Sequence, residues 1–129
     1  MGLNLTHGCF DGSYGRFNRW RNMLAIAAGY GLKKVATGLG NYEMEVANID
    51  FDLFTDDTLN GKWEKTPEDP LVVLFVHSDC EGTIDPDLAG PIADRLQSLD
   101  IPHDQKETTD TFIKGLRQAA SLGETVEFL

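Results

Sequence analysis

The spacing of hydrophobic positions along this 129-residue chain changes several times, and each change predicts an element. Leu3 and Leu5 alternate with Asn4 and Thr6, the period-two pattern of a short strand, which Gly8 and Gly12 then interrupt. From residue 14 the spacing becomes three and four. Tyr14, Phe17, Trp20 or Arg21, Leu24 and Ala28 share one face of a helix, with Ser13 as its N-cap and Gly29 or Gly31 as its stop. The pattern fades over residues 32–70. A short strand or helical turn near 34–37, then Gly38 and Gly40, lead into the apolar anchors Tyr42, Met44, Val46 and 49–54. Asn60-Gly61 is a tight-turn dipeptide, so an irregular hairpin or a lid is expected over about 38–68.

The uninterrupted apolar run Leu71–Val76, entered through Pro70 and rich in β-branched residues, predicts a buried strand that empties into a polar loop. Pro91 argues against one helix starting at Asp85-Pro86, so a short turn over 86–90 and a helix over 91–99 are expected, with Ile92, Leu96 and Leu99 inward. A further helix over 110–122 buries Phe112, Ile113, Leu116 and Ala120 and ends at Gly123, and residues 125–129 alternate as a closing strand. Together these elements predict the α/β or α+β class: one small compact domain over 1–129, with a short central sheet and about three helices packed on it.

Composition narrows the function. A chain of this length buries about two thirds of the surface that it exposes when unfolded, enough for one core. The formal charge of −10 argues against a nucleic-acid or anionic-membrane partner, since both recruit positive fields. The first 35 residues depart from that balance, setting Arg16, Arg19, Arg21, Lys33 and Lys34 against Asp11 alone. No apolar run approaches the roughly 20 residues of a membrane helix, and no signal-peptide pattern opens the chain, so a cytoplasmic protein with two reduced thiols is expected.

Two stretches share an order of chemistry. His7, Cys9, Asp11, Gly12 and Ser13 follow the first strand; His77, Cys80, Glu81, Gly82 and Thr83 follow the expected central one. If those strands are neighbours, both loops leave the same end of the sheet, where ligands of α/β folds sit. His7, Cys9, His77 and Cys80 then make a sufficient set for tetrahedral zinc. Such a site becomes hydrolytic only if water replaces one ligand. A second reading makes Cys80 or Cys9 a nucleophile, His77 or His7 its base, and Asp79, Asp11 or Glu81 the orienting acid, although Asp79 and Glu81 oppose a thiolate at Cys80. A third uses the alternating Asp79, Glu81, Thr83, Asp85 and Asp87. As a calcium loop it lacks the glycine at its sixth position and the glutamate at its twelfth, but two or three of these acids with Asp11 suit magnesium or calcium.

A fourth reading is structural: Ser13, Gly82 and Asp85 shape turns and caps, and each cysteine is a small buried hydrophobe. Ligand-binding candidates are accordingly Asp11, Ser13, Arg16, Asp79, Glu81 and Thr83, whether or not a metal takes part. Gly8, Gly12 and Gly15 ahead of Arg16 and Arg19 suggest a phosphate cradle, but their spacing matches neither the dinucleotide fingerprint nor the P-loop. Trp20 and Trp63 are expected in the core or an interface, and His103 in an exposed link.

The segments from Asn4 to Tyr14, from His77 to Gly82 and from Gly123 to Phe128 resemble a small family of uncharacterised proteins from actinobacteria and their phages. The resemblance implies no activity and assigns no residue a role. A phage setting implies a non-enzymatic interaction protein that acts on a host component, through the acidic surface and residues 40–66. An interaction protein implies a protein partner, and exposed strand edges on a small domain suit a homodimer.

Overall fold

The computed structural model describes residues 2–36 and 43–129. It is a small α+β domain. Strands β1 (Gly2–Leu5) and β2 (Phe10–Ser13) form an antiparallel hairpin closed by a single 3-10 turn, Thr6–Gly8. The stretch read as a loop after the first strand is therefore largely a second strand. Its lone apolar residue, Phe10, opposite Leu5, gave no alternation to see. Helix α1 (Tyr14–Ala27) follows at once, with the Ser13 hydroxyl accepting from the Arg16 N–H at 3.0 Å, the expected N-cap.

A second hairpin, β3 (Leu32–Ala36) and β4 (Glu43–Ala47), packs against α1. Gly38, Gly40 and Tyr42, singled out above, lie outside the described residues. No hairpin turns at Asn60-Gly61. Residues 51–53 make a 3-10 turn, and α2 (Asp56–Leu59) ends there, with the Asn60 and Gly61 N–H groups bonded back to carbonyls of residues 56–58.

The run Leu71–Val76 is a helix, α3, and not a strand. Five of its six residues are buried and Val72 is half-buried. A segment apolar on every side carries no period by which strand and helix could be told apart. The decisive residues precede it: the Asp69 carboxylate accepts from the Leu71 N–H at 3.1 Å, and Pro70 sits in helical conformation with its missing donor costing nothing in the first turn. Strand β5 (Thr83–Ile84) then leads into α4 (Pro86–Gln97), which starts at Pro86 and runs through Pro91. The hydrogen bond that Pro91 cannot make falls at Asp87, an exposed residue whose carbonyl water can serve. Helix α5 (His103–Leu122) begins seven residues before the expected start at 110, because its first two turns bury only Thr109 and so show no apolar period. His103 is exposed, as expected, but as the first residue of this helix. Gly123 ends α5 in the left-handed conformation, φ 65°. The closing strand β6 (Val126–Glu127) pairs with β5.

Among the described residues every strand pair is antiparallel, so no pair of parallel strands there sends two loops from one end of a sheet. The sheets are two-stranded, and an isolated bridge between Leu5 and Phe128, with the Leu129 N–H on the Asn4 carbonyl at 2.8 Å, ties β1 to the residues just after β6. Helices α4 and α5 pack closely on one another, and α5 also packs on the Thr6–Gly8 turn. An aromatic chain fills the core between them and α1. Phe10 meets Phe17 edge-on at 5.2 Å, Phe17 lies 5.9 Å from Trp20, and Trp20 lies 4.5 Å from Phe112. The Trp20 Nε1–H donates to the Thr109 hydroxyl at 3.0 Å, which donates on to the Gln105 carbonyl, so the one polar atom of the ring is satisfied inside the core. Among the described residues no helix is long and apolar enough to cross a membrane.

Candidate functional site

The four residues read as zinc ligands have four different sets of neighbours. His7 occupies a left-handed conformation in the hairpin turn, φ 62°, which an L-residue adopts only when its surroundings hold it there. Here Nδ1 lies 2.9 Å from the Thr6 hydroxyl and Nε2 lies 2.9 Å from the Glu124 carboxylate beyond α5. Cys9 is buried beneath α5, and burial pushes its thiol up to about 12. Gly115 makes that approach possible: a Cβ there would stand 2.5 Å from the Cys9 sulfur.

His77 is also buried. Its Nδ1 faces the Ser78 carbonyl at 2.8 Å and its Nε2 the Thr83 carbonyl at 2.7 Å, while the ring stacks on Phe128 with centroids 3.9 Å apart. Burial lowers its pKa from the ordinary histidine value, the two carbonyls oppose that shift, and the nearby Arg21 charge adds to it. Cys80 is exposed, its sulfur 3.5 Å from the Ser78 hydroxyl. Among the described residues no group of three or more His, Cys, Asp or Glu side chains is arranged to hold a metal ion. The thiol chemistry fares no better. Cys9 stays protonated at neutral pH, and the two nitrogens of the buried His77 face the Ser78 and Thr83 carbonyls, while the hydrogen-bond partner of the Cys80 sulfur is the Ser78 hydroxyl.

Residues 77–83 instead form a clasp. The Ser78 N–H bonds the Leu59 carbonyl at 2.7 Å, the Thr83 N–H the Asn60 carbonyl at 3.0 Å, and the Phe128 N–H the Gly82 carbonyl at 3.0 Å. From the other side, Arg21 of α1 donates to the carbonyls of Leu74 and His77 and to the Asn18 side chain, which in turn donates to Asp79 at 3.0 Å. Burial pulls the Arg21 guanidinium down to about 10, against the raising effect of Asp79, so it remains a cation that closes the carbonyl end of α3. Of the ligand candidates here, Asp79 is taken by Asn18, Thr83 has its backbone in β5, and Glu81 is exposed.

The first loop places its residues differently. Ser13 is used as the cap of α1, but Asp11 and Arg16 both line a cleft of about 530 Å³ between the hairpin, α1 and the N-terminal half of α5. Arg16 is braced: it donates to the Asp11 carbonyl at 3.0 Å and the Thr108 hydroxyl at 3.1 Å, with its guanidinium 5.1 Å from the Phe10 ring centre. Arg19, one helical turn on, shares the wall. It takes part in none of the ion pairs found among the described residues. The opposite wall is one face of α5, where Asp104, Glu107, Thr108 and Thr111 recur at helical spacing. Arg19 entered the sequence expectations only through the phosphate cradle, beside Arg16, and the whole α5 wall was not foreseen. The spacing over 104–111 was legible only once a helix was known to start at His103.

No protein-family model, curated protein or solved structure matches this chain.

Proposed function

We propose that this protein is a binding domain that takes a small ligand by an anionic group in the cleft between β2, α1 and α5. The observation that carries the reading is Arg19, an arginine lining a concave site without an ion-pair partner among the described residues, in a chain of net charge −10. Arg16 beside it is already oriented by the Asp11 carbonyl and Thr108, so the anion meets one braced guanidinium and one outside the ion pairs of the described residues, with side-chain hydroxyls at hand. A volume of about 530 Å³ lies within the ordinary range for small-ligand sites. A second cleft of about 580 Å³ is poorer in free charge. Its Asp69 already pairs with Arg95 at 3.2 Å and accepts from the Tyr30 hydroxyl at 2.5 Å, and burial together with Asp69 raises that phenol to about 12.

Side-chain NMR of the arginine Nε–H groups tests this at constant ionic strength. Millimolar acetate and inorganic phosphate should shift Arg19 and Arg16 saturably while Arg21, tied to the carbonyl end of α3, stays fixed. Arg19→Ala should remove the response at Arg16 without changing the melting temperature. Equal shifts at all surface arginines, or none at Arg19, would contradict the assignment.

A further inference from the structure

The two walls of the cleft carry opposite charges that do not neutralise one another. Arg16 and Arg19 stand on α1 with Asp11 of β2 beside them, and Asp104 and Glu107 line the cleft from α5, yet none of these five belongs to an ion pair within 4.0 Å among the described residues, so two cations meet one acid on the first side and two acids alone stand on the second. Here Arg16 is held to the hairpin by the Asp11 carbonyl, and its other contact with α5 goes to a hydroxyl, Thr108. A ligand bearing a single negative charge would satisfy one wall and be repelled by the other. We infer that the ligand is dipolar, with a carboxylate or phosphate at the arginine wall and a cationic group, such as an ammonium, at the wall of Asp104 and Glu107. This rests on the cleft being the binding site, as proposed above, and names the class of molecule that it takes.

The acids on α5 have a second explanation to be separated from this one. Carboxylates near a helix N-terminus favour the helix dipole, and Asp104 lies in the first turn. That role affects helix stability and leaves ligand preference untouched. The probe is therefore selectivity. Glycylglycine carries both charges at neutral pH, N-acetylglycylglycine only the carboxylate, and glycylglycinamide only the ammonium.

Titrating the three into the intact protein at fixed ionic strength, with the Arg19 Nε–H and Thr108 amide resonances as readout, should give dissociation constants at least tenfold lower for glycylglycine than for either half. In the double variant Asp104→Asn, Glu107→Gln the preference over N-acetylglycylglycine should vanish while the affinity for the acetylated peptide holds or improves. If the acetylated peptide binds the unaltered protein as tightly as glycylglycine, the dipolar inference is overturned and the anion site stands. If neither peptide moves the cleft resonances, both readings fall.

Discussion

Replacing Gly61 by alanine is expected to cost about 4 kcal/mol of folding stability or more, at the far end of what single substitutions do. Gly61 has φ +85°, and a Cβ there would lie 1.6 Å from the Thr83 carbonyl oxygen and 2.9 Å from Nε2 of His77. The obstruction is backbone, so no rotamer change relieves it. Gly82 stands in the same contact from the other side, its own Cβ position 2.8 Å from the Asn60 carbonyl oxygen. The end of α2 and the loop over 77–83 therefore pass each other at a distance that only two glycines permit. Any side chain at Gly61 displaces the Thr83 carbonyl from His77 and the Thr83 N–H from Asn60 together. Gly29→Ala is the control. Its φ is +88° with nothing within 4 Å of the added Cβ, so only the left-handed backbone cost of about 1–2 kcal/mol applies. Urea unfolding followed by circular dichroism separates the two; similar losses at both positions would refute the close-approach account.

Trp20→Ala should be comparably severe, at about 3–5 kcal/mol. The ring is fully buried between Phe17 and Phe112, and its removal also strips Thr109 of the indole N–H that it accepts. Trp20→Phe keeps much of the apolar volume and loses the hydrogen bond, for which about 1 kcal/mol is the ordinary cost, plus a void where the larger ring was. A loss below about 1 kcal/mol for the alanine variant in the same unfolding assay would mean that the aromatic chain is not the centre of the core.

Helix α1 was legible from the sequence because its buried and exposed faces differ: Phe17, Trp20 and Leu24 recur at helical spacing behind a capping serine. The stop of α5 at Gly123 was legible for a local reason, the left-handed conformation that glycine adopts freely. Helix α3 escaped because it is buried on nearly every side, and the start of α5 because it is polar on nearly every side. Periodicity reports a difference between faces and is silent at both extremes. The same limit explains the candidate site. His, Cys, acid, Gly and hydroxyl follow one another in both loops, but in the first they surround a hairpin turn and in the second the exit from a helix. Equal order in sequence thus became unequal geometry in space. Asp11 and Arg16 did come together, since Arg16 lies in the first turn of a correctly read helix and reaches back to the strand just before it.

In the proposed division of labour the His77 loop holds the fold together and the cleft beside Arg19 binds the ligand. The most direct measurement pairs His77→Gln with Arg19→Ala and records, for each, the urea midpoint and the glycylglycine dissociation constant from NMR titration. His77→Gln should lower the midpoint and leave the dissociation constant unchanged, while Arg19→Ala should leave the midpoint unchanged and weaken binding at least tenfold. Loss of binding in His77→Gln at a temperature and pH where it remains folded, with Arg19→Ala binding normally, would contradict that division.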